Sequence, residues 1–476
     1  MSFKRFFAYS PIILCALALF LLLGESTLVF GQSSSSRSSS SSNDNASPFS
    51  SYSGVLIDGK GLVQRMVEQD YGRLSLEQIR AARQSASRLP QNIQKQSKLR
   101  YVSLNRLEQR LIDTNGVVTE EMRYLAGLLR IKYVFFFPET KDIVIAGPAE
   151  GWYPGYEGVM VGLTTDRPVC ELQDLVVALR TYAPGKDVSV VGCSIDPTEE
   201  GNARLQRFIK SFGRYGNTDA QRMTFVAGLR DSLGLQTVRV DGIPANTHAA
   251  MVMVAADYRM KLIGIGVEEA PVPIRTFISM VEPNRVASNA LFRWYFVPDY
   301  QSVILTEDKT GMEMVGSGVK LVAEDEIVSA TGQRSIRTGR GDKASQDFAK
   351  SFTTMYPQLA QKALVYGQLR NFVDMLIAAA YLGKYEIYEQ AEWNMEFLGD
   401  ESKFAVQTYN TPTHVAPVVG SAMKRGLFMA PIGGGVEIEA DVALQSENVK
   451  IETKNAITNI KSGVKLDLKP GQWWWD

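Results

Sequence analysis

An α+β fold is predicted for this chain: a helical N-terminal unit with a β-hairpin, an α/β middle region, and a mainly helical C-terminal unit with short terminal strands. Three observations predict it. Capped helical segments run into two β-rich stretches near residue 140, strands and helices alternate from about Trp152, and apolar residues recur at helical spacing after residue 346.

In the N-terminal unit (55–150), Ser75 with Gln78 three residues on predicts a helix start, and Pro90 its stop. A second helix is expected from Ser103, with Leu104, Leu107, Leu111 and Ile112 on one face and an end near Gly116. Thr119 then caps EEMRYLAGLLR. The run YVFFFPETKDIVIAGP places two β-rich segments around the polar turn PETKD, a hairpin over Ile131 to Gly147.

In the middle region (151–331), GVMVGL, CELQDLVVALRTYA, DVSVVGCSI and PTEEGNARLQRFIKSF read as strand, helix, strand, helix. Asp196 is the expected N-cap of the last of these, with Pro197 at the first helical position and Glu199 completing a capping box. Thr218 with Gln221 caps DAQRMTFVAGLRDSLG, Gly234 stops it, and LQTVRVDGIP follows as strand and turn. The continuous apolar run HAAMVMVAADYRMKLIGIG fits a buried strand or a buried helix equally. ALFRWYFVPDYQSVILTED predicts a hairpin around VPDYQ, and VGSGVKLVAEDEIVSATG adds strand.

An arginine- and glycine-rich stretch without apolar period, 332–345, reads as a basic connector; its RGD triplet is too short to carry meaning. In the last unit (346–476), Leu369, Phe372, Val373, Leu376 and Ile377 repeat at helical spacing, and the end returns to strands that finish in PGQWWWD.

The first 31 residues predict an export signal. Lys4 and Arg5 precede the apolar run Ile12 to Leu23, which is shorter than the about 20 residues a membrane span needs, and Gly31 offers a cleavage position. Residues 32–54, rich in serine, cannot bury enough apolar surface to order themselves and are expected to form a disordered tether. These features predict a periplasmic, cell-envelope or extracellular protein with no transmembrane domain once the signal is removed. A retained signal would instead make an N-terminal membrane anchor.

Lysine and arginine together number 51, as do aspartate and glutamate, so no bulk charge favours nucleic acid. Past the signal only Cys170 and Cys193 remain, and in an oxidising compartment a single disulfide between them is expected. Two histidines and no CxxC or HExxH pattern give no metal site, and no glycine-rich phosphate loop or other cofactor motif is present.

The stretch VGCSIDPTEEG sets Cys193 at a strand end before a helix, where a dipole would favour a thiolate. Its one credible base is His248, so a catalytic pair Cys193 and His248 is the alternative to a structural cysteine. Adjacent carboxylates, Glu199 with Glu200 or Glu268 with Glu269, are expected to be capping or solvated groups rather than a glycosidase pair. Trp473, Trp474 and Trp475 could contact a glycan, a peptide or a lipid interface, or fold back onto the parent domain.

At VGCSIDPTEEGNARLQRF, GIPANTHAAMVMVAADYRMKLIGIGVEEAPV and VYGQLRNFVDMLIAAAYL, supported by AGPAEGW and VKLVAEDEIV, the chain resembles a planctomycete family of exported proteins of unknown function. The resemblance implies an address outside the cytosol and no activity, cofactor or catalytic residue. The combined expectation is a non-catalytic binding or structural protein of the bacterial envelope, partnered by an envelope polymer or another exported protein. A Cys/His or paired-carboxylate hydrolase of envelope polymer or peptide is the alternative.

Overall fold

Alternation within single strands shows how the molecule is layered. In Tyr133–Phe137, Val134 and Phe136 enter the main core with the helices, whereas Tyr133, Phe135 and Phe137 join a second apolar cluster with Ile457 and Trp475. A strand buried on both faces needs no polar alternation, and this one has none.

The computed structural model describes residues 81–476 except 85, 156–157, 187, 213–217, 283–289, 300–301, 330, 332, 337–341 and 423–427, together with two short strands, Gly54–Ile57 and Leu62–Met66. All of these belong to one unit, Phe49–Asp476. The expected export signal, nearly all of the expected serine-rich tether and the expected Ser75 helix start lie outside the described residues, as does much of the expected basic connector. Of that connector, Arg334–Ile336 forms a strand and Asp342 caps the Lys343–Lys362 helix by accepting from the Ala344 amide.

The α+β class holds. A ten-stranded mixed sheet runs in the order Gly54–Ile57, Leu62–Met66, His414–Val415, Gln236–Asp241, Val191–Pro197, Phe428–Ile438, Ala290–Asp299, Gly318–Val328, Arg334–Ile336, with Val419–Ala422 added beside Phe428–Ile438. A seven-stranded sheet runs Val449–Ile451, Ser302–Leu305, Gly311–Val315, Tyr133–Phe137, Asp142–Ala149, Ser97–Ser103, Trp474–Trp475. The His248–Gly264, Lys343–Lys362 and Leu364–Lys384 helices share one apolar core with the inward residues of both sheets.

Several expected elements stand where the sequence puts them. Ser103 caps the Leu104–Asp113 helix, Thr119 caps Glu120–Arg123, Thr218 and Gln221 form a full capping box, and the 131–147 hairpin pairs Tyr133–Phe137 with Asp142–Ala149. The ambiguous run becomes the His248–Gly264 helix, capped by Thr247. It is buried nearly all round, which is why it shows no apolar stripe.

Three local expectations are corrected. The VPDYQ turn does not close a hairpin: Ala290–Asp299 pairs with Gly318–Val328 and Phe428–Ile438 in the large sheet, while Ser302–Leu305 pairs with Gly311–Val315 in the other. The segment has strand pattern on both sides but no Asn-Gly or Asp-Gly turn to force local pairing. Asp196 and Pro197 stay in the Val191–Pro197 strand, opposite Thr237 and Gln236, and the helix cap passes to Thr198, whose hydroxyl accepts from the Gly201 amide at 3.0 Å. Ile112 faces solvent, 40% exposed, while Leu104, Leu107 and Leu111 are buried.

The glycines of PIGGGVE serve packing. A Cβ on Gly434, at φ +134°, would lie 1.8 Å from the Trp294 carbonyl oxygen, and one on Gly435 would lie 1.9 Å from that of Cys193. Their strand can therefore insert between two others only without side chains at these points.

On the His248–Gly264 helix, Lys261 and Asp257 form an ion pair at 2.7 Å with both side chains fully buried, and the Lys261 ammonium also donates to the Ile195 carbonyl at 3.1 Å. Burial pushes the Asp257 carboxyl up, to about 6, against the pull of Lys261. Asp257→Leu is expected to cost about 3–5 kcal/mol by leaving the ammonium uncompensated, and adding Lys261→Met is expected to restore most of that stability, as urea unfolding of the two variants would measure.

Candidate functional site

His248 is the first residue of its helix, and the Thr247 side chain fixes that start by accepting from the Ala250 amide at 3.3 Å. The Leu172–Thr181 helix brings Asp174, in its first turn, to the ring: Nδ1 of His248 and Oδ2 of Asp174 are 2.8 Å apart. From a third direction the Leu364–Lys384 helix brings Gln368, whose amide lies 3.2 Å from Nε2. Tyr409 lies against the ring at 5.3 Å between centroids and accepts at its hydroxyl from the Gln173 amide, which also donates to Glu171.

Helix N-termini disfavour cations, and burial opposes the charged ring. Here the carboxylates win. Burial lowers the His248 pKa, but the contact and hydrogen bond with Asp174, assisted by the charge of Glu171, raise it to about 9. At neutral pH the ring is therefore an imidazolium that donates through Nδ1 to Asp174; the Gln368 atom 3.2 Å from Nε2 is its amide nitrogen, itself a donor, so the charged ring pairs with Gln368 only when the amide is turned to present Oε1. Such a ring holds its proton and cannot take one from a nucleophile. Burial also pushes the Glu171 carboxyl up, against the pull of His248.

Cys193 is not part of this cluster. It sits mid-strand between Val240 and Val436, and the charged side chains that act on it are Asp257, Lys261 and Asp241. Burial drives its thiol well above the ordinary value, away from the thiolate that attack requires. Because its strand continues through Pro197, the thiol does not face a helix start, and the Cys193 and His248 pair is not assembled.

The expected disulfide is likewise absent. Cys170 and Cys193 are both buried free thiols, and each is packed as a small apolar group; burial raises the Cys170 thiol too. Of the adjacent acids, three are exposed as expected and Glu268 is not. Glu199 and Glu200 are exposed in the first turn of their helix, Glu269 is exposed, and Glu268 is buried against Arg259 at 2.8 Å.

The terminal tryptophans fold back instead of presenting a ligand face. Trp474 and Trp475 add an edge strand to Ser97–Ser103, Trp473 and Trp475 are buried, and Trp475 stacks on Tyr101 at 5.6 Å. The Arg100 guanidinium covers Trp474 at 4.8 Å while every one of its N–H groups is directed to Asp476 or to the carbonyls of Ile93, Ala126, Asn92 and Lys95. Trp473 and Trp475 are thus mostly withdrawn from solvent and Trp474 is half-buried, an arrangement in which the end of the chain is anchored on its own sheet.

Asp174, Gln368 and Tyr409 were not singled out by sequence reasoning. An aspartate in a first helical turn reads as a dipole partner, and nothing in VYGQLRN distinguishes a glutamine that meets a histidine 120 residues away.

Comparison with known proteins reaches one part of this assembly. A domain of unknown function, DUF1598, is found at residues 193–277. The DUF1598 domain holds His248 and the Asp257–Lys261 pair, whereas Asp174, Gln368 and Tyr409 reach His248 from outside it. No curated protein and no solved structure matches the chain. No helix among the described residues is long and apolar enough to cross a membrane.

The folded pKa of His248 lies above the unfolded value of 6.5, so its stabilisation is full below that pH and is lost as pH rises through about 9. Between pH 7 and pH 10 the wild-type chain is expected to lose about 2–3 kcal/mol that the His248→Gln variant does not lose, as denaturant titrations across that range would measure.

Proposed function

We propose that this chain is an exported, non-catalytic binding protein of the bacterial cell envelope, acting on an envelope polymer or another exported protein. The signal-like start, the serine-rich stretch and the resemblance to exported planctomycete proteins support the address. One observation carries the choice of binding over hydrolysis: the credible base, His248, is held as a cation by Asp174, and the candidate nucleophile Cys193 lies among other charges as a buried thiol.

Purified mature protein incubated with envelope fractions tests the reading. The expected outcome is retention on the insoluble fraction without release of soluble fragments, unchanged in Cys193→Ser, together with a mature N-terminus at Gln32 in exported material. Fragment release that Cys193→Ser or His248→Gln abolishes would establish the hydrolase instead.

A further inference from the structure

A second polar cluster lies on the same Leu364–Lys384 helix, and it carries an excess of positive charge. Arg130 meets Asp374 through both Nε and Nη2 at 3.0 Å, a two-point contact that uses both carboxylate oxygens. Arg370, one turn earlier on the helix, is 4% exposed, and its Nε and Nη2 have no protein partner. Arg167, from the loop before Cys170, also has a buried Nε without one. These guanidiniums are near enough to repel: burial first, then Arg130 and Arg167, lowers the Arg370 pKa to about 10, so it stays charged at neutral pH.

The anionic groups acting on these cations are too few to answer them. Three guanidiniums face two carboxylates: Asp374 is occupied by Arg130, and Glu150, whose charge reaches Arg167, gives Oε1 to the amide and hydroxyl of Thr165 and leaves Oε2 without a hydrogen bond. Tyr356, which also faces Arg370, donates its hydroxyl to the Tyr366 carbonyl, and burial keeps it neutral. Cys170, facing Arg167, stays neutral for the same reason. Room for the Arg370 stem is built into the backbone: at Gly318, with φ +89°, a Cβ would lie 2.8 Å from Arg370 Cγ.

An uncompensated buried guanidinium costs several kcal/mol, on the order of a whole domain's margin of stability. We propose that Arg370 and Arg167, with Arg130 at the rim, form a binding site for a tetrahedral oxyanion, a phosphate or sulfate group. The edge that Arg370 leaves unpartnered is the one Arg130 uses on Asp374, the edge that grips two oxygens of an oxyanion at once. A planar carboxylate satisfies one such edge. Donors from two guanidiniums on separate segments suit a group whose oxygens leave in more than one plane. Access is from the side of Arg130, 15% exposed at its side chain, and exposed Gly316, whose carbonyl accepts from Arg130 at 3.4 Å. The site lies outside the DUF1598 domain and stands whether or not the chain is exported.

Thermal unfolding and isothermal titration of the purified chain with inorganic phosphate, sulfate and acetate, at constant ionic strength set with chloride, test the proposal. Saturable stabilisation by phosphate or sulfate and little by acetate is expected; phosphate acting alone would mark a phosphate group, and the two acting alike a general tetrahedral site. Arg370→Met is expected to weaken binding at least about tenfold and to leave the anion-free protein as stable as wild type or more so. Arg167→Gln, at the more exposed end, is expected to weaken binding as well and keeps the test decisive if Arg370→Met fails to fold. No saturable effect on wild type, an equal effect of acetate, or undiminished binding in Arg167→Gln together with undiminished binding or misfolding of Arg370→Met would overturn it.

Discussion

The constraint on which the rest of the structure depends is the burial of the Leu364–Lys384 helix. From Val365 to Leu382 every residue except Gln368 is buried, yet the helix carries Arg370, Asn371 and Asp374 within that span. A polar group so placed must be met by another or it opposes folding. Asp374 draws in Arg130 from the segment before the Tyr133–Phe137 strand, Asn371 donates to the Pro168 carbonyl at 3.2 Å, and Gln368 meets His248 of the DUF1598 domain. The same helix thus specifies where three distant parts of the chain must sit. Close packing reinforces this at Gly367, where a Cβ would lie 2.6 Å from Pro168 Cγ.

The sheets impose a similar long-range order. The strand at the centre of the large sheet, Phe428–Ile438, comes from the last sixth of the chain, yet it separates Val191–Pro197 from Ala290–Asp299. The other sheet gathers strands from residues 97–149, 302–315, 449–451 and 474–475. Neither sheet can be completed until nearly the whole chain is present. Such non-local pairing favours slow folding, and the close approach of the flanking backbones to Gly434 and Gly435 leaves no room for a Cβ at either.

What was legible in the sequence follows from how local its physical cause is. Caps are local: Ser103, Thr119 and the Thr218–Gln221 box each bond an amide three residues away, and each was readable. Partnering is not. VPDYQ has strand pattern on both sides, but each strand takes one partner further along, Gly318–Val328 or Gly311–Val315, and a second more than a hundred positions away. Asp196 fits the cap pattern as well as Thr198 does, but its backbone pairs with Thr237 and its carboxylate accepts from Arg293, 97 residues on. For the site, His248 stood out as one of only two histidines, but its meaning changed once Asp174 was beside it. A carboxylate on Nδ1 is also what orients a catalytic base; here burial lowers the ring's pKa but the charges of Asp174 and Glu171 outweigh it and raise it to about 9, so the ring is a cation at neutral pH.

The sulfur and the charged nitrogen thus exchange the roles that composition suggests. Cys170 and Cys193 invite a redox or nucleophilic reading, but thiol chemistry runs through the thiolate, and burial holds both thiols neutral. They behave as hydrophobes in the core that the helices and sheets share. Arginines in a helix ordinarily signal a solvated face, yet Arg370 is inside and remains charged, because guanidinium does not neutralise itself as a buried lysine or histidine can. A fold that neutralises its thiols and keeps its buried cations charged has placed its capacity for specific interaction in imidazolium and guanidinium groups. Of these cations, His248 is answered by Asp174 and Arg293 by Asp196 and Glu326, whereas Arg370 keeps Nε and Nη2 without a protein partner.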